Sequence, residues 1–316
     1  MAVSSGVADG VLGGECPLRV MHATLAAALA AAITAAKGIP FRIADARPVA
    51  GGCIHRALAL EGAGQRFFAK VNDASQADNL AAEADGLAAL ARAGMRVPGV
   101  VTHGVAGGDA YLVREFRELR SGSGASYREM GRALARMHSS AVADAFGWPR
   151  DNFIGATPQR NTCSTSWVEF WDRERMAPQL ELAAANRLSP RLGTLGARVR
   201  AALPQLLAGR SVQPSLLHGD LWSGNAAFLA TGEPVLFDPA VYHGDPEADL
   251  AMTELFGGFP SEFYAGYRDI APVDPGYAVR KILYNLYHVL NHANLFGGGY
   301  AAQAERMMEQ LLRQTG

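Results

Sequence analysis

The segment at residues 215–225, SLLHGDLWSGN, constrains the fold of this chain more than any other stretch. Its apolar start at Leu216 and Leu217 suits a buried strand, but the residues that follow mix polar side chains, glycines and one aromatic in a pattern that neither a packed helix nor a strand favours. A second acidic signal, VLFDPA around Asp238, comes after a hairpin-like run, AFLATGEPVLF. Polar residues that follow short apolar strands in this order predict a site built on loops.

Three polar residues in these segments match the needs of phosphoryl transfer. That reaction requires a carboxylate that orients the acceptor hydroxyl and receives its proton, and oxygen ligands for Mg²⁺ on the phosphates of a nucleotide. Asp220 fits the first requirement, and Asn225 and Asp238 fit the second. A single His-x-Asp pattern is weak, because such residues often satisfy turns. The ordered set of Asp, Asn and Asp predicts a kinase that uses ATP and Mg²⁺.

Residues upstream supply the other parts of a nucleotide site. Gly51, Gly52 and Cys53 form a glycine turn between two predicted strands, where backbone amides can approach a phosphate, although a plain hairpin turn is the alternative. Lys70 ends the strand FFAK and is expected to contact the α and β phosphates. Glu83 lies on the following predicted helix, where it is expected to pair with Lys70 and fix its position.

Two further predictions concern the backbone around this site. Glu115, Phe116 and Arg117 end a predicted strand at a hinge, where an adenine would meet backbone groups. Asp249, in GDPEADLAM, opens a predicted helix and has two alternatives. It is either the N-cap of that helix, or its carboxylate braces the backbone of segment 218–225.

The order of predicted elements indicates an α+β fold with two lobes. Strands, one main helix over 75–94 and further strands predict a small antiparallel-sheet, nucleotide-binding lobe over residues 21–117. A polar, glycine-rich linker, RELRSGSGAS, follows. Residues 118–316 are predicted to form a larger, mostly helical lobe with the catalytic and acceptor-binding groups. Residues 1–20 are predicted to be a poorly ordered extension.

The composition excludes several classes of partner. The 29 basic and 30 acidic residues give a formal charge of −1, which argues against nucleic acid or an anionic membrane as the main partner. The cysteines Cys16, Cys53 and Cys163 form no CxxC pair, so neither a disulfide framework nor a structural zinc site is predicted. The most hydrophobic run is too short and too rich in alanine to cross a bilayer. A cytoplasmic protein acting on a small molecule or a local protein substrate is expected, and the sequence is silent on oligomeric state.

Several of these motifs together resemble one enzyme family. GGCIHRA, FFAKVN, EADGLAAL, LLHGDLWSGN, FDPAVYHGDPEADLAMTELFGGFP and NHANLFG are similar to the fructosamine kinases, or ketosamine 3-kinases, within the wider clan of aminoglycoside and choline kinases. The resemblance runs over almost the whole chain. It implies a protein-kinase-like fold and ATP-dependent phosphorylation of the sugar 3-hydroxyl of a ketosamine. The phosphorylated adduct then eliminates, which would free the amine of a glycated protein or small molecule.

The resemblance also implies roles for single residues. Asp220 is similar to the catalytic base of the family, Asn225 and Asp238 to its magnesium ligands, and Lys70 and Glu83 to the pair that orients the phosphates. The Asp-Pro-Ala sequence at 238–240 differs from the Asp-Phe-Gly of protein kinases, so a large phosphoregulated activation segment is not expected.

An acceptor pocket is predicted from two regions. Trp222 lies beside the expected base, where its indole offers an apolar face for a sugar ring or its amine substituent, with a packed core aromatic as the alternative. His288, Asn291 and His292 share a face of a predicted helix. Asn291 and His292 are expected to hydrogen-bond sugar hydroxyls, and a buried structural histidine is the alternative.

Other aromatic and polar motifs receive no catalytic role. Trp167, Phe170 and Trp171 have helical spacing and are predicted to be core. The segment DNFIGATPQRN also matches the family, but the sequence suggests no function for its side chains.

Two functions compete with a ketosamine kinase. The same fold with an aminoglycoside, amino sugar or amino alcohol as acceptor is one, and Trp222 with NHANLFG argues against it. A catalytically silent nucleotide-binding scaffold is the other. It is disfavoured because the expected base, metal ligands and Lys–Glu pair are all present.

Overall fold

The computed structural model describes residues 21–49 and 55–315. The first sheet is antiparallel with strand order β1-β2-β3-β5-β4. Its β2–β3 hairpin turns at Ala63 and Gly64, with φ angles of 48° and 73°. The strands are β1 (Asp45–Pro48), β2 (Arg56–Gly62), β3 (Gln65–Asp73), β4 (Val100–Ala106) and β5 (Asp109–Glu115).

Two helices cover opposite faces of this sheet. Helix α1 (Ala23–Lys37) packs its buried leucines and Ile33 against residues such as Tyr111 and Val113, and it ends at Gly38 with φ 68°. Helix α2 (Ala77–Arg92) packs on the neighbouring positions of β5, Ala110 and Leu112. Because side chains alternate along a strand, these contacts lie on different faces. The predicted main helix is α2, and α1 is a second helix on the same sheet.

The rest of the described chain is mostly helical. Its largest hydrophobic cluster surrounds α9 and includes the buried Trp167, Phe170 and Trp171, which confirms the prediction that they are core residues. A π-helical turn, Trp171–Met176, lies between α4 and α5. The helices are α3 (Gly124–Ser140), α4 (Trp167–Phe170), α5 (Ala177–Ala185), α6 (Pro190–Leu206), α7 (Pro246–Leu255), α8 (Ser261–Arg268), α9 (Tyr277–Phe296) and α10 (Tyr300–Leu312).

Three two-stranded sheets interrupt these helices and carry the polar motifs. They pair β6 with β7, β8 with β11 and β9 with β10, all antiparallel. The strands are β6 (Asn152–Ile154), β7 (Thr157–Gln159), β8 (Ser215–Leu217), β9 (Ala226–Phe228), β10 (Pro234–Leu236) and β11 (Tyr242–Gly244). The sheet-based and helical parts confirm the predicted α+β architecture. Across residues 21–49 and 55–315, no helix is both long and apolar enough to cross a membrane.

Candidate active site

The segment after β8 is held against residues 237–240, on either side of Asp238. Gly219 has φ 83°, and a Cβ there would lie 2.0 Å from the carbonyl oxygen of Ala240. The Ala240 amide donates to the His218 carbonyl at 2.9 Å, and His218 Nε2 donates to the Phe237 carbonyl at 3.1 Å. Only glycine satisfies both the left-handed backbone and this close approach. The local sequence therefore sets the distance between the two acidic segments.

The Asp249 carboxylate braces the backbone of the same segment. Its Oδ2 accepts from the His218 amide at 2.7 Å, and its Oδ1 accepts from the Gly219 amide at 2.8 Å. The N-cap of α7 is Asp245, whose side chain accepts a backbone N–H of the first turn. Of the two alternatives for Asp249, the brace is confirmed.

A buried histidine completes this brace. His138 Nε2 lies 3.2 Å from Asp249 Oδ2, and its Nδ1 lies 2.9 Å from the Tyr267 hydroxyl. Burial favours a raised pKa for Asp249, but the hydrogen bond and charge of His138, together with the other groups around it, outweigh burial and lower that pKa. No local pattern indicates His138 as part of the site, because it lies 111 residues from its partner Asp249.

Asp220 and Asn225 contact each other directly. Asn225 Nδ2 donates to the Asp220 carbonyl at 2.8 Å and to Asp220 Oδ2 at 3.0 Å. Burial raises the pKa of Asp220 to about 7; the hydrogen bond from Asn225 opposes this shift, and the nearby negative charges of Asp238 and Asp249 support it. A carboxyl with a pKa near neutrality suits proton transfer at ordinary pH. Because the Asn225 NH₂ group faces Asp220, its amide oxygen is directed elsewhere.

Asp238 is partly exposed and contacts the buried, predicted Lys–Glu pair. Lys70 Nζ is 2.7 Å from Glu83 Oε2 and 2.8 Å from Asp238 Oδ1. Arg114 Nη1 contacts the same two acids, at 2.8 Å from Glu83 Oε1 and 3.1 Å from Asp238 Oδ1. Sequence reasoning missed Arg114, although a charged residue within the buried strand DAYLVRE was an available signal.

The conformation and charge of Asp238 fit a metal ligand. Its φ of 59° is rare for a residue with a side chain, and such strain concentrates at functional sites. Burial alone would raise its pKa, but Lys70 and Arg114 hold that pKa well below its usual range. Both cations make these contacts with Oδ1.

The oxygen donors present suit magnesium. Asn225 and Asp238 provide an amide and a carboxylate oxygen, and Mg²⁺ commonly takes one or two protein ligands together with substrate phosphates and water. Within the described ranges, no group of three or more His, Cys, Asp or Glu side chains forms a metal site. A metal shared with nucleotide phosphates is therefore the chemistry that this donor set fits.

The predicted hinge residues lie at the end of β5. The Glu115 amide donates to the Gly99 carbonyl at 2.8 Å, so it is already engaged. Arg66 stacks over the Phe116 ring at 3.9 Å, and Arg117 is exposed. Adenine contact through backbone groups of Glu115, Phe116 and Arg117 stays a prediction. Gly51, Gly52 and Cys53 lie outside the described residues.

The predicted acceptor residues separate into two groups. The indole of Trp222 is partly exposed and lies 6.0 Å from the Phe256 ring, which lies 4.6 Å from the His292 ring. His288 and Asn291 are 5% and 2% exposed. Burial lowers the pKa of His288 to about 3. This geometry favours the buried structural alternative for these two residues, contrary to the expected contact of Asn291 with sugar hydroxyls.

His292 has a defined hydrogen-bonding state. Its Nδ1 lies 2.8 Å from the His288 carbonyl, and a carbonyl only accepts, so Nδ1 carries the proton. Burial lowers the pKa of His292, which favours the neutral ring. Its Nε2 is then a hydrogen-bond acceptor that a hydroxyl of an acceptor can meet.

Known proteins resemble this chain over most of its length. The family model for fructosamine kinase matches residues 25–314. A probable ketoamine kinase of Synechocystis sp. is 50% identical over 289 residues, covering 90% of this chain and 96% of the relative. The chloroplastic protein-ribulosamine 3-kinase of Arabidopsis thaliana is 39% identical over 268 residues, covering 84% of this chain and 82% of the relative.

Solved structures also resemble this chain over most of its length. A candidate fructosamine-3-kinase of Haemophilus somnus 129PT has a TM-score of 0.82 at 27% identity and covers 90% of this chain and 96% of its own. An aminoglycoside phosphotransferase has a TM-score of 0.58 at 17% identity and covers 91% and 99% of the two chains. The second likeness concerns the fold alone, and it confirms the protein-kinase-like architecture. Matched by the family model from residue 25 to residue 314, this chain belongs to the fructosamine kinase family of phosphotransferases.

Proposed function

We propose that this protein transfers the γ-phosphoryl group of ATP, with Mg²⁺, to the sugar 3-hydroxyl of a ketosamine such as a fructosamine or ribulosamine. The observation that carries the proposal is the site itself, in which Asn225 contacts Asp220 and Lys70 contacts both Glu83 and Asp238. Relatives of this chain are named probable ketoamine kinase and protein-ribulosamine 3-kinase. Elimination of the 3-phosphate would then deglycate a small amine or a protein.

The residues divide the reaction between them. Asp220 accepts the proton of the acceptor hydroxyl while the hydroxyl oxygen bonds to the γ-phosphorus and the bond from that phosphorus to the β–γ bridging oxygen breaks, which releases ADP. Lys70, held by Glu83, orients the phosphates. Asn225 and Asp238 would hold Mg²⁺, which neutralises phosphate charge when bound. The N-terminal nucleotide lobe at 21–117 and the catalytic lobe at 118–316 are part of this proposal.

The acceptor contacts come from Trp222 and His292. The indole provides a flat apolar surface beside the base, and the His292 Nε2 accepts a hydrogen bond from a sugar hydroxyl. This combination suits a neutral sugar with an amine substituent better than a polycation, which needs several carboxylates around it. A cytoplasmic location remains a prediction.

The first test is Mg²⁺-dependent ADP release by the purified protein against fructosamine, ribulosamine, aminoglycoside and choline acceptors. Turnover on a ketosamine alone is expected. Turnover only on an aminoglycoside or choline would keep the phosphotransferase and replace the acceptor. Nucleotide binding without turnover on any of the four would favour the silent scaffold.

Replacing Trp222 with alanine is expected to raise the KM for the ketosamine about 2- to 10-fold, because aromatic contacts contribute about 0.5–1.5 kcal/mol beyond buried area. The KM for ATP should stay near the wild-type value. Steady-state kinetics with each substrate varied in turn measures both. Trp222→Phe keeps an aromatic face and is the matched control, so equal loss in both variants would contradict the platform role.

Arg114 is expected to be a positioning residue for Glu83 and Asp238. Arg114→Met leaves carboxylate oxygens in a buried site without one of their cations, which costs about 1–3 kcal/mol. We expect kcat to fall about tenfold or more. Arg114→Lys keeps the positive charge, so its kcat should lie between that of Arg114→Met and the wild type. Its free energy of unfolding should equal that of Arg114→Met. Rescue by lysine would not occur if only the shape of the arginine mattered.

A further inference from the structure

The segment at residues 151–161, DNFIGATPQRN, has a structural position that its sequence did not reveal. It forms the β6–β7 hairpin and places three amide side chains in the interior. Asn152, Gln159 and Asn161 are 3%, 2% and 1% exposed. Buried amides are stable only when their polar atoms have partners, so the identity of those partners indicates what the hairpin does.

Two of the partners lie on the segment between β10 and β11 that carries Asp238. Asn152 Nδ2 donates to the Val241 carbonyl at 2.7 Å. Gln159 Nε2 donates to the Ala240 carbonyl at 3.1 Å and to Asn152 Oδ1 at 2.8 Å. The hairpin therefore holds the backbone of the second and third residues after the proposed metal ligand.

The amide oxygens of these side chains also have hydrogen-bond donors. The Tyr287 hydroxyl donates to Gln159 Oε1 at 2.7 Å. Arg175, which is fully buried, donates through Nη2 to Asn161 Oδ1 at 2.8 Å. Asn161 Nδ2 in turn donates to Asn152 Oδ1 at 2.9 Å. The oxygen and the NH₂ group of Asn152 and of Gln159 both have partners, so the orientation of these two amides toward Val241 and Ala240 is determined.

The turn of the same hairpin contacts helix α2. Asn79 Nδ2 donates to the Gly155 carbonyl at 3.2 Å, and α2 carries Glu83 one turn later. A Cβ on Gly86 of this helix would lie 3.1 Å from Pro239 Cγ. Helix α2 therefore packs on the Asp-Pro-Ala segment and is hydrogen-bonded to the hairpin.

We propose that the β6–β7 hairpin is a positioning element that sets the Asp238 carboxylate, through the backbone of Ala240 and Val241, for the metal-bound nucleotide. Asp238 keeps its left-handed backbone because the carbonyls of Ala240 and Val241 after it accept hydrogen bonds from Gln159 and Asn152. Helix α2 is held by the same element. The inference rests on the proposed function, in which Asp238 is a metal ligand.

The test measures the dissociation constant of ADP by calorimetry, once with Mg²⁺ and once with EDTA, in Gln159→Glu. This change preserves size and keeps the acceptor for Tyr287, but it turns an oxygen toward Ala240 and Asn152, which are both acceptors. Binding with Mg²⁺ is expected to weaken about 10- to 100-fold, the usual cost of losing a partner that orients a metal ligand. Binding with EDTA should be unchanged.

Two variants accompany this measurement. Asn152→Ser withdraws the amide from the Val241 carbonyl and is expected to act in the same direction, which covers the case that Gln159→Glu does not fold. Thr157→Val is the control, because Thr157 is a buried residue of the same hairpin whose hydroxyl has no hydrogen-bond partner within residues 21–49 and 55–315. Its ADP binding should match the wild type under both conditions.

Asp238→Asn distinguishes the metal-ligand role of Asp238 from the positioning role of the β6–β7 hairpin. If it leaves Mg²⁺-dependent ADP binding unchanged, the proposed function fails. If it weakens that binding while folded Gln159→Glu and Asn152→Ser bind like the wild type, the metal site stands and the positioning role is overturned. Equal weakening with Mg²⁺ and with EDTA, or the same loss in Thr157→Val, would also overturn it, because general packing would then explain the effect.

Discussion

Asp220→Ala is expected to lower kcat about 10²- to 10⁴-fold, the usual contribution of a positioned general base, with little change in the dissociation constant of ATP. The reason is that Asp220 meets the acceptor hydroxyl, whereas the nucleotide is held by Lys70 and the proposed metal ligands. The raised pKa of about 7 makes this carboxylate a stronger base than an ordinary aspartate. Single-turnover kinetics with a ketosamine, combined with direct ATP binding, measures the two quantities separately.

Asp220→Asn is the matched control for this prediction. It keeps the volume and leaves an oxygen that can accept from Asn225 Nδ2, but it cannot take a proton from the acceptor. We expect the same large loss of kcat in both variants. Near-normal kcat in Asp220→Asn, or an equal loss of ATP affinity in Asp220→Ala, would contradict the assignment of Asp220 as the base.

Asp249→Asn is expected to lower both the free energy of unfolding and kcat. Two carboxylate oxygens accept the amides of His218 and Gly219, and His138 lies against one of them. An asparagine offers one oxygen and turns an NH₂ group toward the other backbone N–H. Loss of one partner from a buried charged network costs about 3–5 kcal/mol, and the unbraced segment no longer holds Asp220 in register. We expect kcat to fall about 10²-fold, as a misplacement of about 1 Å does.

Urea unfolding gives the stability change, and kinetics under native conditions gives the change in kcat. Asp172→Asn is the control, because it makes the same chemical change at a carboxylate that pairs with Arg200 and is part-exposed. A pair of that kind contributes about 1 kcal/mol or less. Equal stability losses in the two variants would mean that the Asp249 brace does not support the segment.

Much of the local structure could be predicted from the sequence, because it depends on near neighbours. Helix α2 follows the apolar spacing of residues 75–94, and α1 ends at Gly38, which has a positive φ. The hairpin of β9 and β10 lies within AFLATGEPVLF. Each of these features follows from side-chain periodicity or from a turn residue with positive φ.

The residues in the motifs of the candidate site were predicted from the sequence, but the residues that position them were not. Lys70, Glu83 and Asp238 were named from short patterns, and the fold brings them into contact. Arg114 lies 124 residues from Asp238, and Gln159 lies 81 residues from Ala240. No local pattern indicates such pairs, because they arise only when separate strands and helices pack.

The sequence by itself determined the elements, the family and the residues with chemistry to perform, since these depend on residue type and spacing along the chain. The tertiary structure alone decided that Asp249 braces His218 and Gly219, that Asn291 is buried, and that the β6–β7 hairpin holds the backbone of Ala240 and Val241 after Asp238. The physical reason is that a buried polar group must find its partner wherever the fold places one, and chain distance does not restrict that choice.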